Sequence, residues 1–145
     1  MTRPRMLIDT APLSRLLRGD KFLQWLIGVL RDCKYRIEST GAVLVETLYF
    51  AEKSGLDLDI AASKLLALLK HVEALRDKPF RSSLLVHLGY TDTELLLAAK
   101  AGNAVMLTSD ERLALEAQSH GINAYVVDWL LSLEPDEITK LLCYT

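Results

Sequence analysis

Short apolar runs alternate along this chain with longer segments whose leucines and alanines recur at helical spacing, and that alternation constrains the fold more than any other feature. Met6-Leu7-Ile8, Ala104–Leu107 and Asn123–Val127 read as buried strands, with Tyr35–Ile37 a weaker one. Between them the period changes. Leu13, Leu16 and Leu17 share a helical face between Pro12 and Gly19, and Leu23, Leu26, Ile27 and Leu30 share another behind a capping Asp20. Thr40-Gly41 opens a helix to about Ser54, and Asp57–Arg76 is expected as one long helix broken by Arg76-Asp77-Lys78-Pro79. Phe80–Leu88 is expected as a short helix. Thr91-Asp92-Thr93-Glu94 and Thr108-Ser109-Asp110-Glu111 have capping-box spacing, which gives Glu94 and Glu111 to helix starts. The helices they open end near Gly102 and Gly121, and Pro135-Asp136-Glu137 starts a last one. Strands that alternate with helices predict an α/β domain, a three-layer αβα sandwich around a mostly parallel sheet. With 145 residues, 1–145 should form a single domain.

Lys plus Arg is 17 and Asp plus Glu is 19, a formal net charge of −2 that argues against gripping nucleic acid through overall charge. No apolar run approaches the ~20 residues of a membrane span, and the run behind Arg3 and Arg5 is too short for a secretion signal. Cys33 and Cys143 lie far apart with no CxxC spacing, so neither a zinc site nor a disulfide scaffold is expected, and a reducing, cytoplasmic setting fits.

Parallel strands end at one rim of the sheet, and ligands of such sheets bind there. Asp9 follows the first strand, and Asp110 follows Ala104–Leu107 after two hydroxyl residues. Asp92 opens the helix that feeds that second strand, so three carboxylates converge on the rim by topology. Each, taken singly, reads more readily as a helix cap than as a catalytic acid. Glu46 is different. Its helical neighbours are Ala42, Val43, Tyr49 and Phe50, and a carboxylate on so apolar a face is costly to bury unpaired. Carboxylates gathered together repel unless a cation neutralises them, and an all-oxygen, acid-rich set suits Mg²⁺ or Mn²⁺ rather than Zn²⁺. Water activated by such an ion can attack a phosphodiester.

These residues, in this order, resemble the PIN-domain nucleases, a family that includes VapC-like toxins and RNA-processing enzymes. The resemblance runs from Met6 to about Val127. The family's first acid falls on Asp9 in Leu7-Ile8-Asp9-Thr10 and its helical Glu on Glu46 in Val45-Glu46-Thr47-Leu48. Its third acid falls on Asp92 ahead of Leu95-Leu96-Leu97-Ala98-Ala99, and its fourth on Asp110 in Thr108-Ser109-Asp110. Ala11 stands where many members carry Ser or Asn, which removes one contact to the metal shell. The resemblance implies a metal-dependent endoribonuclease with Asp9, Glu46, Asp92 and Asp110 as metal ligands and catalytic carboxylates. Thr10 and Thr108 beside them are candidate supports, and Asp128, after the last strand, is a candidate second-sphere acid that reads more readily as a cap or surface residue. The resemblance further implies a homodimer and, for a toxin, an antitoxin protein partner. The alternatives are a non-catalytic PIN-like scaffold that binds RNA or protein, and an RNA-processing nuclease unrelated to toxins.

An RNA substrate needs cations near the acids. Arg15, Arg18 and Lys21 follow Asp9 closely, while Lys100 and Arg112 lie near the other acids in sequence. Trp25, Leu26, Leu65, Leu66, Leu68 and Leu69 exceed what one buried face per helix requires, which is read as a second hint of a homodimer. No GxGxxG, GxSxG or P-loop is present, and the position two residues after Asp9 is alanine rather than the second aspartate of an aspartyl-phosphate phosphatase.

Overall fold

The computed structural model describes residues 3–73 and 89–144. Five parallel strands, β1 (Arg5–Ile8), β2 (Arg36–Thr40), β3 (His71–Glu73), β4 (Val105–Thr108) and β5 (Ala124–Val126), form one sheet in the order β3-β2-β1-β4-β5. The described helices are α1 (Thr10–Leu17), α2 (Lys21–Asp32), α3 (Gly41–Lys53), α4 (Leu58–Leu68), α5 (Tyr90–Gly102), α6 (Glu111–Ser119), α7 (Val127–Leu131) and α8 (Pro135–Cys143). Right-handed crossovers put the helices leading to β2 and β3 on one face of the sheet and α6, leading to β5, on the other. The chain is the expected α/β sandwich.

The central strands are apolar because both faces are covered: Leu7, Ile8, Met106 and Leu107 are buried, with Leu95 and Leu96 of α5 among the side chains packed with them. Strand order reverses between β1 and β4, whose register pairs Ile8 with Leu107. The residues that leave these strands, Asp9 and Thr108-Ser109-Asp110, therefore flank a crevice at the carboxyl rim.

Several expectations are corrected. The helix expected over Asp57–Arg76 ends at Leu68: Leu69 is extended and the Lys70 N–H donates to the Ile37 carbonyl, so the following backbone becomes β3. Strand β2 runs through Thr40 rather than stopping at Ile37, because its buried Glu38 carries its own counter-charges. Arg5 reaches Glu38 Oε1 through Nε at 2.9 Å and Nη2 at 2.6 Å, and Arg36 lies 3.4 Å from Oε2. Arg5 also donates to the Gly102 carbonyl at the end of α5, where a Cβ would collide with the guanidinium. The expected helix over Phe80–Leu88 and the break at Arg76–Pro79 lie outside the described residues.

The cysteine reading also changes. Cys33 at the end of α2 and Cys143 at the end of α8 are joined by a disulfide, with Cα atoms 5.3 Å apart across 110 residues of sequence. The Tyr35 hydroxyl donates to the Leu142 carbonyl beside it. Separation along the chain was a poor guide to separation in space. Of the six apolar residues taken as surplus, Leu26, Leu65, Leu68 and Leu69 belong to the core, and Trp25 and Leu66 are exposed. Among the described residues no helix is long and apolar enough to cross a membrane.

Candidate active site

Asp9, Glu46, Asp92 and Asp110 come from four different elements and line one cavity of about 530 Å³. Asp128, in the first turn of α7, lines it too, as do Thr10, Ala11, Ser14, Arg15 and Arg18 of the α1 segment.

Asp9 is buried and caps α1. Its Oδ1 accepts the Thr10 N–H at 2.7 Å and its Oδ2 accepts the Thr108 hydroxyl at 2.7 Å. Thr108 in turn accepts the Asp110 N–H at 3.0 Å, so one buried threonine ties the first acid to the loop that carries the fourth. Asp110 caps α6 with Oδ1 alone, which accepts from the Arg112 and Leu113 N–H groups and leaves Oδ2 facing no described donor. Capping and metal binding are thus compatible roles for both aspartates.

Glu46 is half-buried, and its Oε2 accepts the Thr91 hydroxyl at 3.1 Å. Asp92 lies in the first turn of α5, which starts at Tyr90 behind Gly89. Gly89 has a φ of +83°, a backbone conformation that favours glycine, and it puts Thr91 inside the helix rather than at its cap. The expected capping box is therefore absent. Thr91 holds Glu46 instead, and the buried Glu94 carboxylate reaches across to accept the Ala42 N–H at the start of α3. Thr91 and Glu94 thus position the helix that carries Glu46, and the sequence signal that could have revealed them was misread as local. Glu111 is exposed in the first turn of α6, whose cap is Asp110.

The electrostatics follow from this crowding. Burial raises the Asp9 carboxyl above its ordinary value, against the hydrogen bonds from Thr108 and Thr10, and the Glu46 and Asp110 charges raise it further. Burial, followed by the charges of Asp9, Asp110 and Glu46, pushes Asp92 up to about 7. Mutual repulsion of this kind is what a divalent cation relieves. The Thr10 and Ser109 hydroxyls are buried with no hydrogen-bond partner among the described residues, and both residues line the same cavity. The donor set fits a hard cation. Among the described residues, however, no group of three or more His, Cys, Asp or Glu side chains is poised as a ligand cluster.

The basic residues divide. Arg18 lines the cavity, and Arg15 lines it while bound to Asp20 at 2.8 Å. Lys21 is not part of its lining, Arg112 lines a separate shallow groove along α6, and Lys100 sits by the opposite edge of the sheet near Asn103 and Asn123.

Neither protein-family models nor curated proteins match the sequence. Solved structures do. A PilT N-terminus domain protein from the hyperthermophilic archaeon Sulfolobus solfataricus P2 aligns over 88% of this chain and 91% of its own, with a TM-score of 0.59 and 23% identity. A domain of a functionally unknown protein from Methanocaldococcus jannaschii DSM 2661 aligns over 86% of this chain and 91% of its own, with a TM-score of 0.53 and 24% identity. The α/β sandwich that brings these acids together is the fold of a PilT N-terminus (PIN) domain.

Proposed function

We propose that this chain is a PIN-domain nuclease, a metal-dependent endoribonuclease that hydrolyses RNA phosphodiester bonds. The observation that carries the reading is the lining of one cavity, at the point where strand order reverses, by Asp9, Glu46, Asp92 and Asp110. Those four would hold Mg²⁺ or Mn²⁺. The ion supplies positive charge that neutralises the acids, polarises the phosphodiester and makes water a better nucleophile.

The chain's own residues do the positioning. Thr108 fixes the rotamer of Asp9 and the Asp110 loop together, and Thr91 fixes Glu46. Asp92, which holds its proton up to about pH 7, is where a proton competes most directly with a cation, so metal uptake weakens as pH falls. Arg18 offers the cavity a positive charge for the phosphate chain.

One observation favours a second reading, a non-catalytic module that binds RNA or protein: the acids do not converge into a ready ligand cluster among the described residues. A single assay separates the two. The protein is incubated with structured and single-stranded RNAs in Mn²⁺, in Mg²⁺ or in chelator. The expected outcome is metal-dependent cleavage, reduced to background by Asp9→Asn and by Asp110→Asn. Cleavage that survives both substitutions would remove the site assignment, and no cleavage together with no metal bound at millimolar concentration would favour the scaffold. A toxin, a homodimer and an antitoxin partner are finer parts of the same reading. Sedimentation of the pure protein and co-purification from its native source test the last two.

A further inference from the structure

The cavity extends beyond the acids along two helices, with matching stripes on each wall. On α1 the lining residues Thr10, Ser14 and Arg18 recur every fourth position, and on α3 and its cap Glu46, Phe50 and Ser54 do the same. Each stripe starts beside the carboxylates and runs ~12 Å along its helix.

The α1 stripe presents unspent donors. Thr10, 5% exposed, and Ser14 both carry a buried hydroxyl oxygen with no hydrogen-bond partner among the described residues. A serine inside a helix usually bonds back to the carbonyl four residues earlier or faces water, and Ser14 does neither. One turn further on, Arg18 is exposed and makes no ion pair with any described residue, whereas its neighbour Arg15 is committed to Asp20. Across from them, Phe50 of α3 is 45% exposed, with Ala51 and Leu56 in the lining beside it. Hydroxyl and guanidinium donors suit an anion, and an exposed ring across from them suits a planar base.

We propose that the groove between α1 and α3 is a subsite for one unpaired nucleotide of an RNA strand, its phosphate on the Ser14 hydroxyl and the Arg18 guanidinium and its base stacked on Phe50. This rests on the ribonuclease reading and extends it from the reacting bond to the nucleotide beside it. Paired bases are stacked inside a helix and cannot reach the ring, so the groove selects single strands, loops or splayed ends.

The test reads binding rather than cleavage. An Asp110→Asn protein is titrated in Mg²⁺ against a fluorescein-labelled single-stranded ribo-octamer, and anisotropy is followed across a salt series. Phe50→Ala should weaken binding about tenfold and Phe50→Trp should restore it, because stacking tolerates exchange of one ring for another. Arg18→Ala should lower the slope of log affinity against log salt by about 0.7, the value for one lost contact to a single strand, whereas Phe50→Ala leaves that slope unchanged. Ser14→Ala should weaken binding several-fold without changing the slope. Phe50 and Arg18 are exposed, and a thermal melt of each variant confirms that it folds.

Binding unaffected by both Phe50→Ala and Arg18→Ala overturns the subsite. So does equal affinity for the matching duplex, or binding weaker than the ~10⁻⁴ M of non-specific nucleic-acid contacts. Comparable binding of the matching deoxyribo-octamer supports the subsite, because none of its three contacts touches a 2′-hydroxyl. Single-strand binding with these losses, in a protein whose parent cleaves no RNA, supports the subsite and removes only the nuclease reading.

Discussion

Replacing Asp92 with asparagine should stabilise the metal-free protein, by an amount set by pH. Burial and the charges of Asp9, Asp110 and Glu46 push this carboxyl from 3.8 to about 7 in the folded chain, while the unfolded chain keeps the ordinary value. The values differ by about 3 units at ~1.4 kcal/mol per unit, but Asp92 is only half-buried, and solvent screening discounts this to a cost of about 1–2 kcal/mol for the ionised group. The sign follows from proton occupancy. Below about pH 4 Asp92 is protonated in both states and costs nothing, and stability is then lost as pH rises through about 7, above which the loss levels off. In chelator, the parent should therefore melt about 2–8 °C below Asp92→Asn at pH 8, at ~2–4 °C per kcal/mol, and at nearly the same temperature at pH 4. Asp9, also raised, leaves a residual slope in the variant. Adding Mn²⁺ at pH 8 should raise the parent more than the variant, since only the parent keeps all four acids for the ion to bind. Scanning fluorimetry over this pH range reads all of it. A parent–variant difference that does not change with pH, or a variant that melts below the parent at pH 8, would refute the reasoning.

Four further outcomes are expected. Glu38→Ala removes a buried carboxylate and leaves the partly exposed Arg5 and Arg36 to water, and should cost about 1–3 kcal/mol in urea unfolding; no loss at all would mean that the pair contributes nothing to the fold. Glu94→Ala leaves the Ala42 N–H without its partner and should cost about 1–3 kcal/mol, measured the same way. Cys33→Ser opens a loop of 110 residues, for which chain entropy gives up to ~4.8 kcal/mol; equal unfolding midpoints for parent and variant under non-reducing conditions would contradict it. Thr108→Val removes a hydrogen bond that lowers the Asp9 pKa, so the acid limb of the pH–rate profile should move to higher pH.

The parts of the fold legible in the sequence were those with local causes. Apolar strands at Met6–Ile8 and Ala104–Leu107, and caps at Asp20 and Thr40, follow from composition and spacing, and they suffice to bring Asp9 and Asp110 to one rim. What escaped depends on partners distant in sequence. Strand β3 forms because backbone pairs with β2 across a gap of some thirty residues, and β2 holds a buried glutamate only because Arg5 arrives from β1. Glu94 satisfied every local rule for a capping box and still bonds a different helix. At the site the acid types and order were readable. Thr108 and Arg18 were legible as candidates, but Thr91, Ser14 and the ring of Phe50 were not, because each acquires its meaning from what faces it across the cavity.

The bridge between Cys33 and Cys143 also divides the molecule mechanically. Everything between those residues is a closed covalent ring, and tension applied at residues 3 and 144 bypasses it. Some 370 Å of contour, 110 residues at ~3.4 Å each, stays locked until the bond is reduced. The load falls instead on the segment outside the ring, which begins with β1 and α1. Glu46, Asp92 and Asp110 lie within the ring and Asp9 outside it, so a pull that leaves three acids in place withdraws the one at the centre of the sheet.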